Sequence, residues 1–418
     1  MGIEARGQPV VSHTLNVSAA FDTRKLAVML AGACAFLQIY ITQPLLPMLT
    51  EVFHASKVAV SATVTAAGLG VAAGAPFAGY ISDRLGRKTV IVWSAFLLAA
   101  TAFGTATAPS LGILILWRFC QGLFTPGIFA ITIAYINDEW AGMGAPKMVA
   151  NYVTGTVLGG FTSRMLSGLV AAHAAWPWTF VVIGSLSLAA AIAIARWLPP
   201  EKRFHHRAHT EHSGWAAARE HLRNKPLLAT FAVGFCVLFS MVATFTYVTF
   251  YLADPPFGLR PAALGSIFAV YLIGAAVTPS TGHAIDRFGS RAALAAAIAA
   301  GVGGVAITLI PNLWAVALGL AITSSGVFVA QAAASSFIGI AAKQNRALAV
   351  GLYASFYYVG GSVGAALPGY VWDLGGWPAC VVFIAAVQIL TVAIALVFWE
   401  APTAPAPAAA WAGPAELK

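Results

Sequence analysis

The chain of 418 residues contains an internal sequence repeat. The same hydrophilic connector closes a long apolar stretch twice, with its aspartate at Asp83 and, 203 positions later, at Asp286. A second set of residues recurs at an offset of 201, including Tyr152 with Tyr353 and Trp176 with Trp377. A repeat of this length means that one structural unit of about 200 residues is used twice. The fold therefore has to be made of two similar halves.

The composition predicts that both halves lie in a membrane. Hydrophobic residues make up 59% of the chain and charged residues 9%, whereas soluble domains carry roughly a quarter charged residues. A membrane span needs about 20 apolar residues. Twelve segments qualify: 26–49, 58–81, 89–108, 110–136, 147–172, 177–198, 227–252, 262–285, 291–310, 312–341, 347–372 and 377–399. The sequence therefore predicts an all-α membrane protein of 12 transmembrane helices in two pseudo-symmetric six-helix bundles.

The hydrophilic segments divide the chain into five parts. We expect an N-terminal tail over 1–23, bundles over 24–198 and 226–400, a linker over 199–225 and a disordered Ala- and Pro-rich tail over 401–418. The first 23 residues lack the apolar core and cleavage site of a removable signal peptide. The His-rich linker is interpreted as a short amphipathic helix near Trp215 to Leu222, with metal binding as the alternative.

Lys and Arg are distributed very unevenly between the two sides of the predicted bundle. If both termini lie on one side, that side carries 19 of the 23 basic residues, and the opposite side carries only Lys57 and Arg260. Arg118 and Arg164 lie inside spans. Because basic loops stay in the cytoplasm, both termini are predicted to be cytoplasmic. The net charge of +9 is thus explained by topology and does not require a nucleic-acid partner.

The repeated connector carries the most specific motif. Its members are Gly79, Asp83, Arg84, Gly86, Arg87 and Lys88 in the first half, and Gly282, Asp286, Arg287, Gly289 and Arg291 in the second. The first copy resembles the signature between helices 2 and 3 of the major facilitator superfamily, Gly-x-x-x-Asp-Arg-x-Gly-Arg-Lys. The resemblance covers roughly residues 24 to 400. It implies the twelve-helix facilitator fold and a transporter that works by alternating access.

In that family the connector acts as a latch on the cytoplasmic side. Asp83 is placed to accept hydrogen bonds from free N–H groups at the start of span 11, near 346–349, where a carboxylate is favoured. Arg87 has Asp138 and Glu139 as candidate partners at the end of span 4. The alternative is that the basic residues only anchor the loop in the cytoplasm, but an anchor does not require an aspartate.

Two arginines are predicted at similar depth in the membrane. Arg118 lies nine residues from the outer end of span 4, and Arg164 lies eight from that of span 5. At 1.5 Å per residue, both are about 12–14 Å below the surface. An arginine there needs a partner or a cavity. No Asp or Glu lies deep in any predicted span to neutralise them or to carry a proton.

Each arginine has two interpretations. Arg118 and Gln121 resemble the Arg-x-x-Gln-Gly signature of proton-coupled members, which implies a role in substrate binding or coupling. The alternative for Arg118 is hydrogen bonding to Gln38 and to nearby backbone of span 1. Arg164 is interpreted as a contact for an anionic or polar substrate, with a link to Glu51 or Asp373 as the alternative.

The family pattern also places a cavity between the halves, lined mainly by spans 1, 4, 7 and 10. The residues expected to contact substrate or the coupling ion are Gln38, Arg118, Gln121, Arg164, Tyr247, Gln331 and Tyr357. Aromatic and polar side chains together favour a small organic substrate. We expect neither a cofactor nor a resident metal.

The function predicted from these features is secondary active transport across the cell inner membrane. The drug and metabolite exporter branch of the family implies export of a small organic compound in exchange for protons, by a monomer. The alternative is proton-coupled uptake of a small organic anion. A sensor, a membrane enzyme and an ATP-driven pump are disfavoured, because the sequence has no soluble domain, no cluster of catalytic residues at membrane depth and no phosphate-binding loop.

Overall fold

The structure is a computed structural model that describes residues 23–141, 144–201, 212–342 and 344–399. Regular secondary structure in these ranges is helical, without a strand. Residues 1–22, the central linker 202–211 with its His-rich run, and residues 400–418 lie outside the described residues, as does the side chain of Asp286.

The first half contains six helical spans. They are Thr23–Ile39 continued by Gln43–Leu45 and Leu46–Phe53 (span 1), Lys57–Leu85 (span 2), Arg87–Ala106 (span 3), Leu111–Phe124 continued by Pro126–Glu139 (span 4), Ala145–His173 (span 5) and Pro177–Trp197 (span 6).

The second half repeats this order. Its helices are Lys225–Ala253 (span 7), Pro261–Ile267 continued by the first part of Val270–Ile307 (span 8), the remainder of that helix (span 9), Leu313–Ala341 (span 10) and Arg346–Phe398 (spans 11 and 12). The backbone leaves helical geometry at Gly289, between spans 8 and 9, and at Gly375 and Gly376, between spans 11 and 12.

Twelve crossings account for these helices. Nine of the described helices are long and apolar enough to cross a membrane. The last, Leu348–Phe398, has 51 residues, about twice the length that one crossing needs, and it turns back at the two glycines. The short apolar helix Pro261–Val277 and the 29-residue helix Ala145–His173 add the remaining two. The predicted twelve-helix, all-α fold is confirmed.

Local sequence explains where several spans begin. A Ser or Asn side chain accepts a hydrogen bond from a backbone N–H in the first turn of spans 2, 4, 7 and 10, through Ser56, Ser110, Asn224 and Asn312. These residues are preferred N-caps because they satisfy amides that have no partner inside the helix. The capping residues therefore fix the loop ends between otherwise continuous apolar stretches.

Prolines interrupt span 1 at the depth of the predicted site. The first helix ends at Ile39, and a 3-10 turn follows over Gln43–Leu45. Pro44 has no N–H group, so the helix cannot continue its hydrogen-bond ladder through this residue. The last carbonyls of the first helix are left without helical partners. They are available to a donor from another span.

The two halves meet along two seams, span 2 against span 11 and span 5 against span 8. We call the end at which span 2 begins, at Lys57, the far face. The end at which span 2 stops, at Leu85, is the motif face, because both repeated connectors lie there. The seams are tight near the far face and separate toward the motif face.

The linker ends in a helix, His212–Arg223, that contacts spans 7 and 11. Its His221 is buried, and Nε2 lies 3.3 Å from the carbonyl oxygen of Asn345, just before span 11. The linker helix therefore packs on the motif face of the second half.

Candidate functional site

Arg118 is fully enclosed in the first half. Its Nε donates to the Thr63 carbonyl at 3.2 Å, and Nη1 donates to the Gln38 carbonyl at 2.5 Å and to the side chain of Gln121. Nη2 donates to the carbonyl of Ile39. Two of these acceptors are the carbonyls released where span 1 breaks. Arg118 therefore caps a helix C-terminus, where a cation is favoured.

The amides beside Arg118 are also committed to the first half. Gln121 Nε2 donates to Thr105 Oγ1 at 3.1 Å, and Gln38 Nε2 donates to Ser187 Oγ at 2.8 Å. Both glutamines are buried. In this conformation Gln38, Arg118 and Gln121 form a polar core of the first bundle and do not line a space between the halves.

Arg164 lies at the boundary between the halves. Its Nε donates to Gln43 Oε1 at 2.8 Å, and Nη1 donates to the Gly160 carbonyl at 2.7 Å. The side chain is only 5% exposed. Neither Glu51 nor Asp373, the acidic residues that the sequence offers as partners, pairs with it in the described structure.

Aromatic rings surround the Arg164 guanidinium instead of a carboxylate. Its central carbon lies 4.8 Å from the ring centroid of Tyr40 in span 1, 5.0 Å from that of Phe268 and 4.8 Å from that of Tyr271, both in span 8. The negative face of an aromatic ring attracts a cation at such distances. Rings from both halves therefore contribute to stabilising this buried charge.

The remaining candidates lie in the second half. Tyr353 donates a hydrogen bond to Gln331 Oε1 at 2.6 Å and stacks on Tyr357 at a centroid distance of 5.9 Å. Tyr358 packs against Phe129 of span 4 at 5.8 Å, across the boundary. Gln331 and Tyr357 are half-buried. The rings of Tyr353, Tyr357, Tyr358 and Phe129 form a continuous row, which we call the aromatic wall.

Tyr247 occupies a seam and not a cavity wall. It is fully buried, and its hydroxyl donates to the Ala365 carbonyl of span 11 at 2.8 Å. One bond to the first half lies nearby, from Gln43 Nε2 to Thr246 Oγ1 at 3.2 Å. Tyr247 therefore ties spans 7 and 11 together where the second half meets the first.

Small residues bring the seams together near the far face. A methyl group built on Gly265 would lie 2.6 Å from the Arg164 carbonyl oxygen and 3.2 Å from Gly168 Cα. Thr65 donates to the Ser362 carbonyl at 3.2 Å, joining span 2 to span 11. These helices are in backbone contact, so larger side chains have no room.

The same helix faces separate toward the motif face. Gly79 follows Thr65 by two heptads on span 2, and Gly351 precedes Tyr358 by one on span 11, so each continues the face that is packed nearer the far face. A methyl group built on either glycine would meet no atom within 4 Å. The structure is therefore closed at the far face and open at the motif face.

An ion pair joins the two halves at the far face. Lys57 Nζ, at the start of span 2, lies 3.0 Å from Asp254 Oδ2, just after span 7. The same ammonium group lies 4.1 Å from the ring centroid of Trp372 in span 11. We call Lys57, Asp254 and Trp372 the far-face lock. The sequence shows Lys57 only as an isolated positive charge, because its partner is 197 positions away.

The two connectors share one backbone conformation. Gly86 has φ 91° and ψ 146°, and Gly289 has φ 80° and ψ 156°. Positive φ is strained for residues with a Cβ atom. The glycine of each copy therefore allows the sharp turn from one span into the next.

Charged groups surround the first connector. Arg87 Nε lies 2.7 Å from Asp138 Oδ2, which is one of the two partners predicted for it, and its backbone N–H donates to Glu201 Oε2 at 2.8 Å. The Arg84 guanidinium lies 4.2 Å from the Tyr80 ring, and Asp83 is half-buried. In the second copy, Arg291 donates to the Leu396 carbonyl at 2.5 Å, and Arg287 lies 5.2 Å from the Phe288 ring. The connectors tie together helices within each half.

A protein-family model matches nearly the whole chain. The model of the Major Facilitator Superfamily matches residues 28–256 and 253–417. The chain belongs to the Major Facilitator Superfamily. Together the two matches cover both halves, and they meet just after the end of span 7.

Curated relatives from this superfamily carry transporter names. An uncharacterized transporter of Buchnera aphidicola from Schizaphis graminum is 29% identical over 376 residues, 90% of this chain and 91% of the relative. YnfM, an inner membrane transport protein of Escherichia coli K12, is 30% identical over 371 residues, 88% of each chain. YybF of Bacillus subtilis is 30% identical over 351 residues, 84% of this chain and 87% of the relative. The chain is therefore a transporter of small molecules.

Solved structures support the facilitator fold. The nucleoside transporter NupG superimposes with a TM-score of 0.74 at 14% identity, covering 91% of this chain and 98% of that one. The human organic anion transporter MFSD10 gives 0.67 at 18% identity, covering 89% and 99%. At these identities the similarity concerns the fold alone.

Several contacts of this facilitator could not be anticipated from sequence motifs. Gln43, Tyr271 and Glu201 belong to no recognised signature, yet they contact Arg164 or the first connector. Among the described residues no group of three or more His, Cys, Asp and Glu side chains is close enough to hold a metal ion. The polar groups described at the boundary of the halves are thus mainly Arg164, Gln43 and tyrosine hydroxyls.

Proposed function

We propose that this transporter moves a small organic compound by alternating access and exports it in exchange for protons, like members of the drug and metabolite exporter branch. One observation carries the proposal: the halves are sealed at the far face and separated at the motif face, around the aromatic surroundings of Arg164. A substrate that enters from the motif face reaches the other side only if the seams close at the motif face and open at the far face.

The distribution of charge supports the direction of loading. The motif face carries most of the Lys and Arg residues, and the far face carries Lys57 and Arg260. By the positive-inside rule the motif face is cytoplasmic. YnfM is named an inner membrane transport protein, which supports the same membrane for this chain. The present conformation then faces inward, the state in which an exporter binds its substrate.

The connector supports a mechanism with two closed ends. Arg87 and Asp138 form an ion pair within the first half, which ties the start of span 3 to the end of span 4 on the motif face. We propose that Asp83 and Arg87 help to form the latch of the outward-facing state. The similar turns at Gly86 and Gly289 give the two connectors the same backbone geometry, so both are suited to the same role on the motif face.

A second candidate function is uptake of a small organic anion together with protons. Arg164 favours it, because this guanidinium lies at the boundary of the halves without a carboxylate partner in the described structure. No Asp or Glu side chain among the described residues is buried. A proton-exchanging exporter usually carries its proton on a buried carboxylate, so this absence weighs toward the second candidate. The organic anion transporter MFSD10 has the same fold.

Purified protein in liposomes tests both candidates. An imposed pH gradient is combined with organic acids, sugars and cationic drugs, and the internal pH and the movement of each compound are recorded. Exchange of a compound for protons supports export. Entry of an organic acid together with protons supports the second candidate, and transport that is unaffected when the gradient is collapsed contradicts proton coupling.

A further inference from the structure

One edge of Arg164 is uncommitted. Nε and Nη1 donate to Gln43 and Gly160, whereas Nη2 donates to no described group. The side chain as a whole is only 5% exposed, so this nitrogen is a hydrogen-bond donor with little access to solvent. In Arg118, at similar depth, all three nitrogens donate to carbonyl or amide oxygens within the first half. Of these two arginines, Arg164 is therefore the one that offers N–H groups to a ligand.

We propose that the free edge of Arg164 binds the carboxylate of a small organic anion with a flat apolar body, and that the bound anion favours opening of the far face. The inference rests on the proposed alternating-access function and specifies its substrate class. Guanidinium groups match the geometry of carboxylates and bind them more strongly than neutral acceptors. A cation at membrane depth is also poorly tolerated without compensation.

The surroundings of Arg164 select for the rest of the substrate. Tyr271 flanks the guanidinium at 4.8 Å, and Tyr357 of the aromatic wall lies edge to face with Tyr358 at 5.6 Å. Tyr358 and Phe129 extend the same wall toward the motif face. Such a wall contacts an aromatic or other flat apolar body through ring faces and edges. A compact inorganic anion would leave this wall without contact.

The ring contacts link anion binding to the far face. Phe268 and Tyr271 belong to span 8, whereas Arg164 and Tyr40 belong to the first half. Separating span 5 from span 8 removes two of the three rings from the guanidinium. When these rings move away, the Arg164 charge loses part of its stabilisation, whereas an anion bound to Arg164 still neutralises it. We therefore expect the anion to bind more tightly when the far face is open. A ligand shifts a conformational equilibrium only through such a difference in affinity.

The test measures how fast the far-face seam opens. Ser61 of span 2 is fully buried and lies between Val58, which meets Gly369 of span 11, and Thr65, which bonds to Ser362 of span 11. A cysteine at this position therefore reacts with a membrane-impermeant maleimide only when the seam separates. Labelling of Ser61→Cys is followed with benzoate, benzamide and benzylamine, which have similar size but negative, no and positive charge. The unchanged chain gives the background from the natural cysteines.

Benzoate is expected to raise the labelling rate several-fold, whereas benzamide and benzylamine leave it unchanged. Arg164→Gln should abolish the benzoate effect, and Arg260→Gln, which removes an exposed positive charge on the far face, should retain it. Tyr271→Leu should raise labelling without any ligand, and Tyr271→Phe, which keeps the ring, should not. If the Arg164→Gln protein does not fold, the two Tyr271 variants still test the proposal, because they retain Arg164.

The possible failures are distinguishable. Three results would overturn the anion site and leave alternating access intact. The labelling rate could respond equally to all three probes, or it could show no response to benzoate while basal labelling is measurable. The benzoate effect could also survive Arg164→Gln. A Ser61→Cys chain that is never labelled, in a preparation that transports none of the test compounds, contradicts the proposed function itself.

Discussion

Replacing Lys57 with methionine should loosen the far-face lock. Methionine keeps an unbranched apolar stem but removes the charge that bridges Asp254 and Trp372. The ammonium group lies 3.0 Å from the carboxylate and 4.1 Å from the ring centroid, and the side chains of Lys57 and Asp254 are 28% and 55% exposed. The pair is therefore partly screened by solvent, and values for exposed interactions apply.

The expected magnitude follows from the two contacts. An exposed ion pair contributes about 0.2–1 kcal/mol, and a cation above an aromatic ring contributes about 0.5–1 kcal/mol at an exposed site. Together the loss is about 0.7–2 kcal/mol, which corresponds to about a 3- to 30-fold shift toward the state with an open far face. The labelling rate of Ser61→Cys should rise by this factor if labelling follows the open population.

Two controls separate the lock from a change in net charge. Arg260→Met removes a positive charge from the same face, but Arg260 is exposed and outside the lock, so labelling should change little. Combining Lys57→Met with Asp254→Asn should cost less than the sum of the two single changes, because both remove the same ion pair. A Lys57→Met rate within twofold of the unchanged chain, or equal to that of Arg260→Met, would refute the reasoning.

Three further predictions concern other contacts. Gly265→Ala should also raise far-face labelling, because the new methyl group would press on the Arg164 carbonyl, 2.6 Å away; an unchanged rate would show that span 8 shifts freely. Arg118→Met should lower the melting temperature in detergent and the yield of monodisperse protein, because each buried carbonyl that loses its donor costs about 1–3 kcal/mol of stability. A variant as stable as the unchanged chain would contradict the capping role. Arg87→Ala and Asp138→Ala should slow transport by similar factors, with little further loss in the double variant, whereas independent losses would argue against a shared ion pair.

The sequence predicted the architecture well because that architecture follows from the solvent. In a bilayer each crossing needs a long apolar helix, so twelve stretches separated by short polar loops leave little freedom. The duplication then fixes the pairing of the halves. The connector glycines, Gly86 and Gly289, were recognisable for the same kind of reason, since a backbone with positive φ restricts the choice of residue.

The structure separates the residues predicted to contact substrate. Arg164 lies at the boundary of the halves, Gln331 and Tyr357 lie in the second half, and Gln38, Arg118 and Gln121 are enclosed within the first bundle. The loss of carbonyl partners after Ile39 was a usable signal, because Pro44 and Pro47 mark a break in span 1 at the depth of Arg118. A buried arginine near such a break has acceptors close at hand.

Sequence alone determined how deep each residue lies, and the tertiary structure decided what it touches. Depth follows from counting, at 1.5 Å per residue along a helix whose ends are set by the membrane. The direction of a side chain depends on how its helix is rotated and packed, and each residue turns it by about 100°. Arg118 and Arg164 have the same depth, yet only packing places one against freed carbonyls and the other among rings from both halves.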